Sequence, residues 1–468
     1  MALSIGLDTA VKALRAHQLA VDVASHNIAN ANSPGFSRQR VNLRPLGIDG
    51  SDHFTRDALL GRTGFGVDAS DVNRVRDLFL DFQQRQALGS QSQYEAQADA
   101  LSKAEIVFND PSDEGLSGVM SAFWNAWHDV VNDPESSAAR TTLVNTTTTL
   151  TARLQRAYND LETQRKDLNF QVDNIAGEIN AKATEIAQLN FQIKQVELSG
   201  DQANDLRDRR DLLVDQLAEL GQVTYTEQPD KSLTVYFGSH ELVTGNTARE
   251  VQSVPDAANP GMRKLQFVMD GEDVTTTTGK LRGVLDARDA DLPALISKLD
   301  TLAQQLITSV NADHATGYGL DNSTGLGFFT GTGAADISIN ATLASDPSKI
   351  AAASGPDKPG DGSVALQIAD LQKATPMGGG TQSFDEYYGN LVTVLGADVN
   401  RVKGLAKSGE MLTSHLESLR QSVQGVNIDE EVTNLNAAQH AYEAAARVIT
   451  TIDEMLDTLI NRTGLAGR

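Results

Sequence analysis

The chain of 468 residues contains no cysteine. This absence excludes disulfide bonds, zinc–thiolate sites, iron–sulfur clusters and thiol nucleophiles. A chain without thiols is also indifferent to the redox state of its compartment. The sequence therefore gives no preference between a location inside the cell and one outside it.

Basic charge, aromatic residues and long apolar runs are also scarce. The chain has 39 Lys and Arg against 62 Asp and Glu, for a net charge of −23, and only 5% aromatic residues. The acidic balance argues against nucleic acid or an anionic membrane as the main partner. No run approaches the roughly 18 apolar residues of a membrane span, which argues against membrane insertion. Charged residues interrupt the first 20 positions, so we expect no secretory signal peptide.

Apolar residues recur at steps of three and four at both ends of the chain, which predicts amphipathic helices over residues 3–31 and 428–461. The first helix should end at the turn cluster Asn32-Ser33-Pro34-Gly35. Asn427, with Glu430 three residues later, resembles a capping box for the last helix. Periodicity alone fits packing within one chain and packing between chains equally well.

The middle of the chain shows the same helical period. It predicts helices over residues 76–109, 115–132, 204–220, 292–314 and 384–423, and a long helix through 168–196 that pairs with 204–220 as an antiparallel hairpin. For 168–196 we favour a role in the internal core over an intermolecular coiled coil. Residues 41–75 read as extended chain and loops, and alternating residues around 233–243 and 265–269 predict short strands.

These elements predict a mainly α fold, in which a long helical bundle and coiled-coil body carries a small β-rich inserted domain. We expect three domains. Residues 1–45 and 425–468 form a terminal coiled-coil core, residues 46–228 and 284–424 form a helical body, and residues 229–283 form a small β-rich outer domain.

Motifs for catalysis or metal binding are missing from the sequence. The eight histidines are dispersed, and no zinc-protease, phosphate-loop or nucleophile-elbow motif occurs. The segment Asp321–Gly325 resembles a calcium loop but lacks its final glutamate. We therefore expect no catalytic, cofactor-binding or metal site and no enzyme activity. A glycosidase-type carboxylate pair stays open, because such a pair is defined in space.

Two segments carry a resemblance to a known family. The run Asn27-Ile28-Ala29-Asn30, followed by Ser33, Gly35 and Phe36, resembles the N-terminal signature of bacterial flagellar rod, hook and hook-associated proteins. Residues 425–457 resemble the C-terminus of the hook-associated protein 1 family, as do residues 206–213 and 311–329. The resembling segments cover both ends and the helical middle.

The resemblance implies a structural adapter of the extracellular flagellum, which joins the hook to the filament by self-assembly in the axial tube. The implied partners are further copies of the chain, the hook protein, hook-associated protein 3 and an export chaperone on the C-terminal helix. Export would use the flagellar type III apparatus. Two alternatives stay open: another axial protein (hook-associated protein 3, or a hook or rod protein), and a hydrolase carried on an axial scaffold.

The predicted assembly interface combines the apolar stripes of both terminal helices with the signature residues of the first turn. Its members are Leu3, Leu7, Leu14, Val21, Asn27, Ile28, Asn30, Gly35, Phe36, Ile428, Val432, Leu435, Tyr442, Ile449 and Leu456.

Overall fold

The computed structural model of the chain describes residues 2–46, 66–108 and 115–462. Helices dominate it, which confirms the predicted mainly α class. The longer ones are α1 (Ala2–Asn30), α2 (Leu78–Phe108), α3 (Leu116–Asn132), α4 (Ser137–Leu198), α5 (Asn204–Leu220), α7 (Leu292–His314), α10 (Phe384–Gln424) and α11 (Ile428–Asp457). The shorter ones are α6 (Lys280–Asp286), α8 (Ala341–Ser345) and α9 (Ser363–Asp370).

All strand pairs in the described ranges are antiparallel and short. Strands β1 (Gln39–Pro45) and β2 (Val67–Arg74) pair with a bulge between Asn42 and Leu43, so part of the predicted extended segment 41–75 forms a sheet. The rest of that prediction falls on residues outside the described ranges. A four-stranded sheet contains β3 (Val223–Glu227), β4 (Leu233–Phe237), β5 (His240–Thr244) and β6 (Thr247–Ala248). Two further pairs are β7 (Val251–Pro255) with β8 (Arg263–Phe267), and β9 (Phe329–Thr330) with β10 (Ser338–Ile339).

Helix α4 is the central helix of the body. Its 62 residues span about 93 Å at 1.5 Å per residue. Helix α5 returns along it, which confirms the predicted hairpin; Lys182 bonds to Gln216 and Arg207 bonds to Glu197. The strands pack on the same helix, where Asn190 donates to the carbonyl of Leu233 and accepts from its N–H. Helix and sheet thus share one hydrophobic core.

The main hydrophobic core runs from Ala98 to Val402 and is centred on an aromatic cluster. Trp124 and Trp127 of α3 are fully buried there, and Trp127 packs 5.0 Å from Phe328 between ring centroids. Among the described residues, none from α1 or α11 belongs to this core. The terminal helices therefore form a second structural unit with its own packing.

His314 is buried beside the aromatic cluster as a neutral ring. Its Nδ1 lies 2.7 Å from the carbonyl oxygen of Leu326, to which it donates, and its Nε2 accepts from the N–H of Ala351 at 3.0 Å. Burial lowers the pKa of His314 to about 4, and Arg140 nearby adds to this, although the bond to Leu326 opposes it.

We expect acid to destabilise the body through His314. Its pKa lies near 6.5 in the unfolded chain and lower in the folded one, so the unfolded state binds more protons between about pH 6.5 and 4, and stability is lost as the pH falls through that window. The loss should approach about 3 kcal/mol at 1.36 kcal/mol per pKa unit. Denaturant titrations followed by tryptophan fluorescence measure it. His314→Gln should flatten the pH dependence and the exposed His440→Gln should not; equal slopes in both variants would contradict this assignment.

Candidate assembly core and its joint with the helical body

Helices α1 and α11 pack against each other as an antiparallel pair. At one end Asn27 Nδ2 donates to Glu431 Oε2 at 3.0 Å. At the other end a Cβ built on Gly6 would lie 3.5 Å from Cδ1 of Ile452. The two chain ends therefore supply each other with a packing partner.

The seam between these helices combines alanines with Glu431 and Ile452. Along α11, positions separated by seven residues are buried: Glu431, Ala438, Ala445 and Ile452. Along α1, Ala10 and Ala24 are buried. Alanine at these positions brings the two backbones close together but covers little apolar area.

The larger apolar residues occupy the flanking position of each heptad and are only partly covered. On α11 this stripe is Ile428, Leu435, Tyr442, Ile449 and Leu456; Ile428 is 48% exposed and the others are half-buried. On α1 the corresponding Leu7, Leu14, Val21 and Ile28 are half-buried. The α1–α11 pair thus leaves two long apolar stripes for a further partner.

The other predicted interface residues lie at two places. Val432 is 41% exposed on α11, beside the stripe. Asn27, Asn30, Gly35 and Phe36 lie at the turn where α1 ends. Leu3 lies in α1, but its side chain is outside the part of the chain that the structure describes.

Asn27 is 1% exposed and uses its side chain inside the chain. It donates to the carbonyl of Gln39 at 2.8 Å and accepts from the N–H of Gln39 at 2.9 Å, besides its bond to Glu431. This paired contact closes the turn between α1 and β1. Asn30 donates to the carbonyl of His26 near the end of α1.

Gly35 and Phe36 pack this turn against α5 and α1. Gly35 has φ = +78°, a conformation that glycine adopts without strain, and a Cβ there would lie 3.2 Å from Cβ of Leu212. Phe36 packs edge-on against the His26 ring, with centroids 5.5 Å apart. Next to them, Arg38 Nε donates to Glu431 at 2.8 Å and Nη2 to Glu430 at 2.9 Å.

A buried cluster of charges connects this turn to the helical body. We call it the joint cluster. Its members come from β2, the following loop, α2, α5 and α10, and they balance in charge: Arg74, Arg76, Arg85, Arg420, Asp81, Asp208, Asp211 and Asp215.

Asp211 is the centre of the joint cluster. Its Oδ2 accepts from Arg74 and from Arg76, each at 2.8 Å, and Arg85 Nη2 lies 3.9 Å from its Oδ1. Burial alone would raise its pKa, but the three arginines hold the pKa of Asp211 well below its usual range. The arginines therefore favour the charged form of this carboxylate.

The joint cluster contacts the turn after α1 on one side and includes Arg420 of α10 on the other. Asp208 accepts from the N–H and hydroxyl of Ser37 at 2.9 and 2.8 Å, so α5 holds the turn after α1. Burial raises the pKa of Asp208 despite Arg74 and Ser37. Arg420 of α10 lies 2.9 Å from Asp215, and its Nε lies 2.8 Å from Asp81 in a geometry too bent for a hydrogen bond.

The spacing of charged residues in the sequence indicates the joint cluster, whereas the periodicity of apolar residues does not. Asp208, Asp211 and Asp215 recur at steps of three and four, which places them on one face of α5. Arg74 and Arg76 alternate, as residues on one side of an extended chain do. Two matching stripes of opposite charge were therefore present in the sequence.

The chain matches three models of flagellar protein families. Residues 101–329 match the flagellar hook-associated protein FlgK helical domain. Residues 7–36 match the flagella basal body rod protein model, and residues 421–462 match the C-terminal model of the flagellar basal body rod FlgEFG proteins. The rod-type models thus cover the two helices that form the terminal pair.

Relatives named flagellar hook-associated protein 1 align with the chain from end to end. The one from Bacillus subtilis is 29% identical, with 99% of each chain aligned. The one from Escherichia coli is 26% identical over 97% of this chain and 99% of its own. The chain belongs to the flagellar hook-associated protein 1 family.

A solved structure shares the fold of this hook-associated protein 1 family member. It is titled the flagellar hook junction protein FlgK from Burkholderia pseudomallei, and it superposes with a TM-score of 0.64 over 73% of this chain and all of its own, at 15% identity. The identity is low enough that this likeness concerns the fold alone.

Membership of the hook-associated protein 1 family confirms the predicted class of function. The protein is an axial structural component of the extracellular bacterial flagellum and not an enzyme, which removes the hydrolase alternative. In the described ranges, no helix is long and apolar enough to cross a membrane. In the same residues, no group of three or more His, Asp or Glu side chains is placed to hold a metal ion.

Proposed function

We propose that the protein joins the hook to the filament by assembling through its terminal helices into the axial tube. The observation that carries this proposal is the pair of half-covered apolar stripes on α1 and α11. Apolar surface exposed along this length is unfavourable in water. Its burial by neighbouring helices therefore stabilises an assembly. Copies of the chain are the first partners, and we expect the predicted residues of the two apolar stripes to form the contact, whereas Asn27 is buried within its own chain.

The proposed neighbours are the hook protein on one side and hook-associated protein 3 on the other, with an export chaperone on α11 before assembly. The apolar stripe of α11 suits each of these roles, because an amphipathic helix binds a groove through such a stripe. Type III export of the chain belongs to the same proposal.

We also propose the three-part domain map for the assembled state. Residues 1–45 and 425–468 form the inner core, residues 46–228 and 284–424 form the body, and residues 229–283 face outward. The separation of the α1–α11 packing from the main hydrophobic core supports the terminal part of this map, whereas the strands of 229–283 share that core with the body. Ala257 is exposed at the turn between β7 and β8, as an outward-facing segment requires.

A short tag inserted after Ala257 tests both proposals. We expect normal assembly, because the turn is exposed, and extra density in cryo-electron micrographs on the outer surface between hook and filament. The same tag after Arg468, at the end of the terminal core, is the comparison and should impair assembly. Density at another level of the flagellum would refute the junction role. Assembly blocked at Ala257 but not at Arg468 would refute the domain map.

A further inference from the structure

A groove of about 1020 Å³ lies beside the joint cluster. We call it the joint groove. The turn after α1 forms one wall, α2 and α5 form the floor, and the end of α10 with its link to α11 forms the other wall. Such a volume accommodates several side chains of a partner.

Two buried amide groups in the joint groove have oxygens that receive no hydrogen bond from the described residues. Gln84 is 4% exposed and Gln424 is 7% exposed, and neither Oε1 accepts a hydrogen bond. A buried acceptor without a partner costs free energy until a donor is supplied. The joint groove therefore favours an occupant rich in N–H donors.

The charge of the joint groove favours a cationic occupant. Of its charged residues, Arg38 pairs with Glu430, and Arg420 pairs with Asp215. Glu219 forms no ion pair within the described residues, and Glu417 lies 3.6 Å from the Nη1 of Arg420, which Asp215 already neutralises. Two carboxylates are thus in excess.

Two further carboxylates lie near Glu219, and Lys182 is the neighbouring cation. Burial raises the pKa of Glu219, and the neighbouring Asp215 and Glu95 raise it further, although Lys182 opposes them. An arriving cation would be stabilised at this point of the rim.

Two exposed cations on the same chain form no ion pair with any of the described residues. Arg40 and Arg44 on β1 are exposed and form no ion pair in the described part of the chain. Asp68 lies opposite Arg44 in the β1–β2 register without pairing with it. Arg40 lines a different cavity from the joint groove, on the other side of the Arg38–Glu430 pair. These arginines therefore cannot occupy their own groove.

A tubular assembly requires two different complementary surfaces on each subunit, because its contacts are head-to-tail. The joint groove and the Arg40–Arg44 edge form such a pair at the same level of the molecule. We propose that, in the assembled tube, the joint groove of one copy receives Arg40 and Arg44 of a neighbouring copy. A guanidinium presents five donors, which suit the free amide oxygens and the carboxylates of Glu219 and Glu417 together. This inference rests on the proposed tubular assembly.

A charge swap tests the contact. In cells whose own copy is deleted, the double variant Arg40→Glu/Arg44→Glu should lower the number of filaments per hook at least about tenfold, the change that 1.4 kcal/mol gives. Adding Glu219→Lys and Glu417→Lys should restore filaments. The matched control is Arg156→Glu/Lys166→Glu, which changes the charge equally at two exposed positions of α4 and should leave filaments unchanged. Neither side chain forms an ion pair with another described residue.

Cross-linking gives a readout that does not depend on recovery of function. The chain has no cysteine, so Arg44→Cys with Glu219→Cys introduces the only two thiols. Under oxidation, isolated hook–filament preparations should give chains linked to one another, whereas Lys166→Cys with Glu219→Cys should not. Normal filaments in the Arg40→Glu/Arg44→Glu variant, or absence of the cross-link in assembled tubes, would overturn the contact. The proposed tubular assembly would survive that result if the terminal-helix variant discussed below still blocks filaments.

Discussion

Replacing Asp211 by alanine should destabilise the joint by about 3–5 kcal/mol, the cost of leaving buried charges without their partner. The joint cluster would then hold four arginines against three carboxylates, and Arg74 and Arg76 would each lose a 2.8 Å contact. Hydrogen exchange of the α5 and α2 amides under native conditions measures the loss, because it reports local opening without requiring two-state unfolding of the whole chain.

The matched control for Asp211→Ala is Glu185→Ala. Glu185 pairs with Arg209 at 2.8 Å on the same α4–α5 hairpin, but both side chains are exposed. An exposed pair contributes at most about 1 kcal/mol, so this variant should exchange almost like the parent. Equal effects of the two substitutions would mean that the joint cluster does not depend on its burial.

Replacing Leu435 by aspartate should abolish filament assembly while the helical body stays folded. Leu435 lies at the middle of the half-covered stripe on α11, and burying a carboxylate in an apolar contact costs several kcal/mol. We expect the variant to be secreted but not incorporated, so that hooks remain without filaments. Electron microscopy of cells and immunoblots of the medium measure the two outcomes.

Asn436→Asp adds the same charge one residue away and is the control for Leu435→Asp. Position 436 belongs to the polar stripe of Asp429, Glu443, Thr450 and Asp457, which is exposed along α11. Filaments should form normally in this variant. Normal filaments in Leu435→Asp as well would show that the apolar stripe is not an assembly contact.

The helices that the sequence delimited best have strong local signals. Helices α5 and α7 begin and end at the predicted residues, and α10 and α11 differ from prediction by a few residues at their C-terminal ends. The apolar period was sufficient there because one face of each helix packs on a neighbour.

The first half of α4 was harder to recognise, because threonine is frequent between residues 141 and 151. Threonine lowers helix propensity, since its hydroxyl and branched Cβ restrict the side chain. In the structure, Thr147 donates to the carbonyl of Leu143 four residues earlier, at 2.6 Å, and is fully buried. Tertiary packing thus overcame the local preference.

The joint cluster and the joint groove could not be derived from local patterns. Arg420 and Asp81 come from segments more than 300 residues apart, and their contact follows from the antiparallel packing of α2 on α10. The sequence showed which helix faces were charged. Which of these faces meet is fixed only when the long helices are placed together.

The antiparallel terminal pair also sets an order of events in folding. Asn27 and Glu431, which close one end of the pair, are 404 residues apart in sequence. A chain that emerges from a channel end-first exposes α1 or α11 long before its counterpart, whereas α4 and α5 are neighbours and fold at once. Contacts of such long range carry the largest loop-closure entropy and form last. The α4–α5 hairpin is therefore expected to form first, before the terminal pair and before the α2–α10 contacts, which also join segments more than 300 residues apart. In the proposed export, each new subunit thus meets its neighbours with both terminal stripes still open.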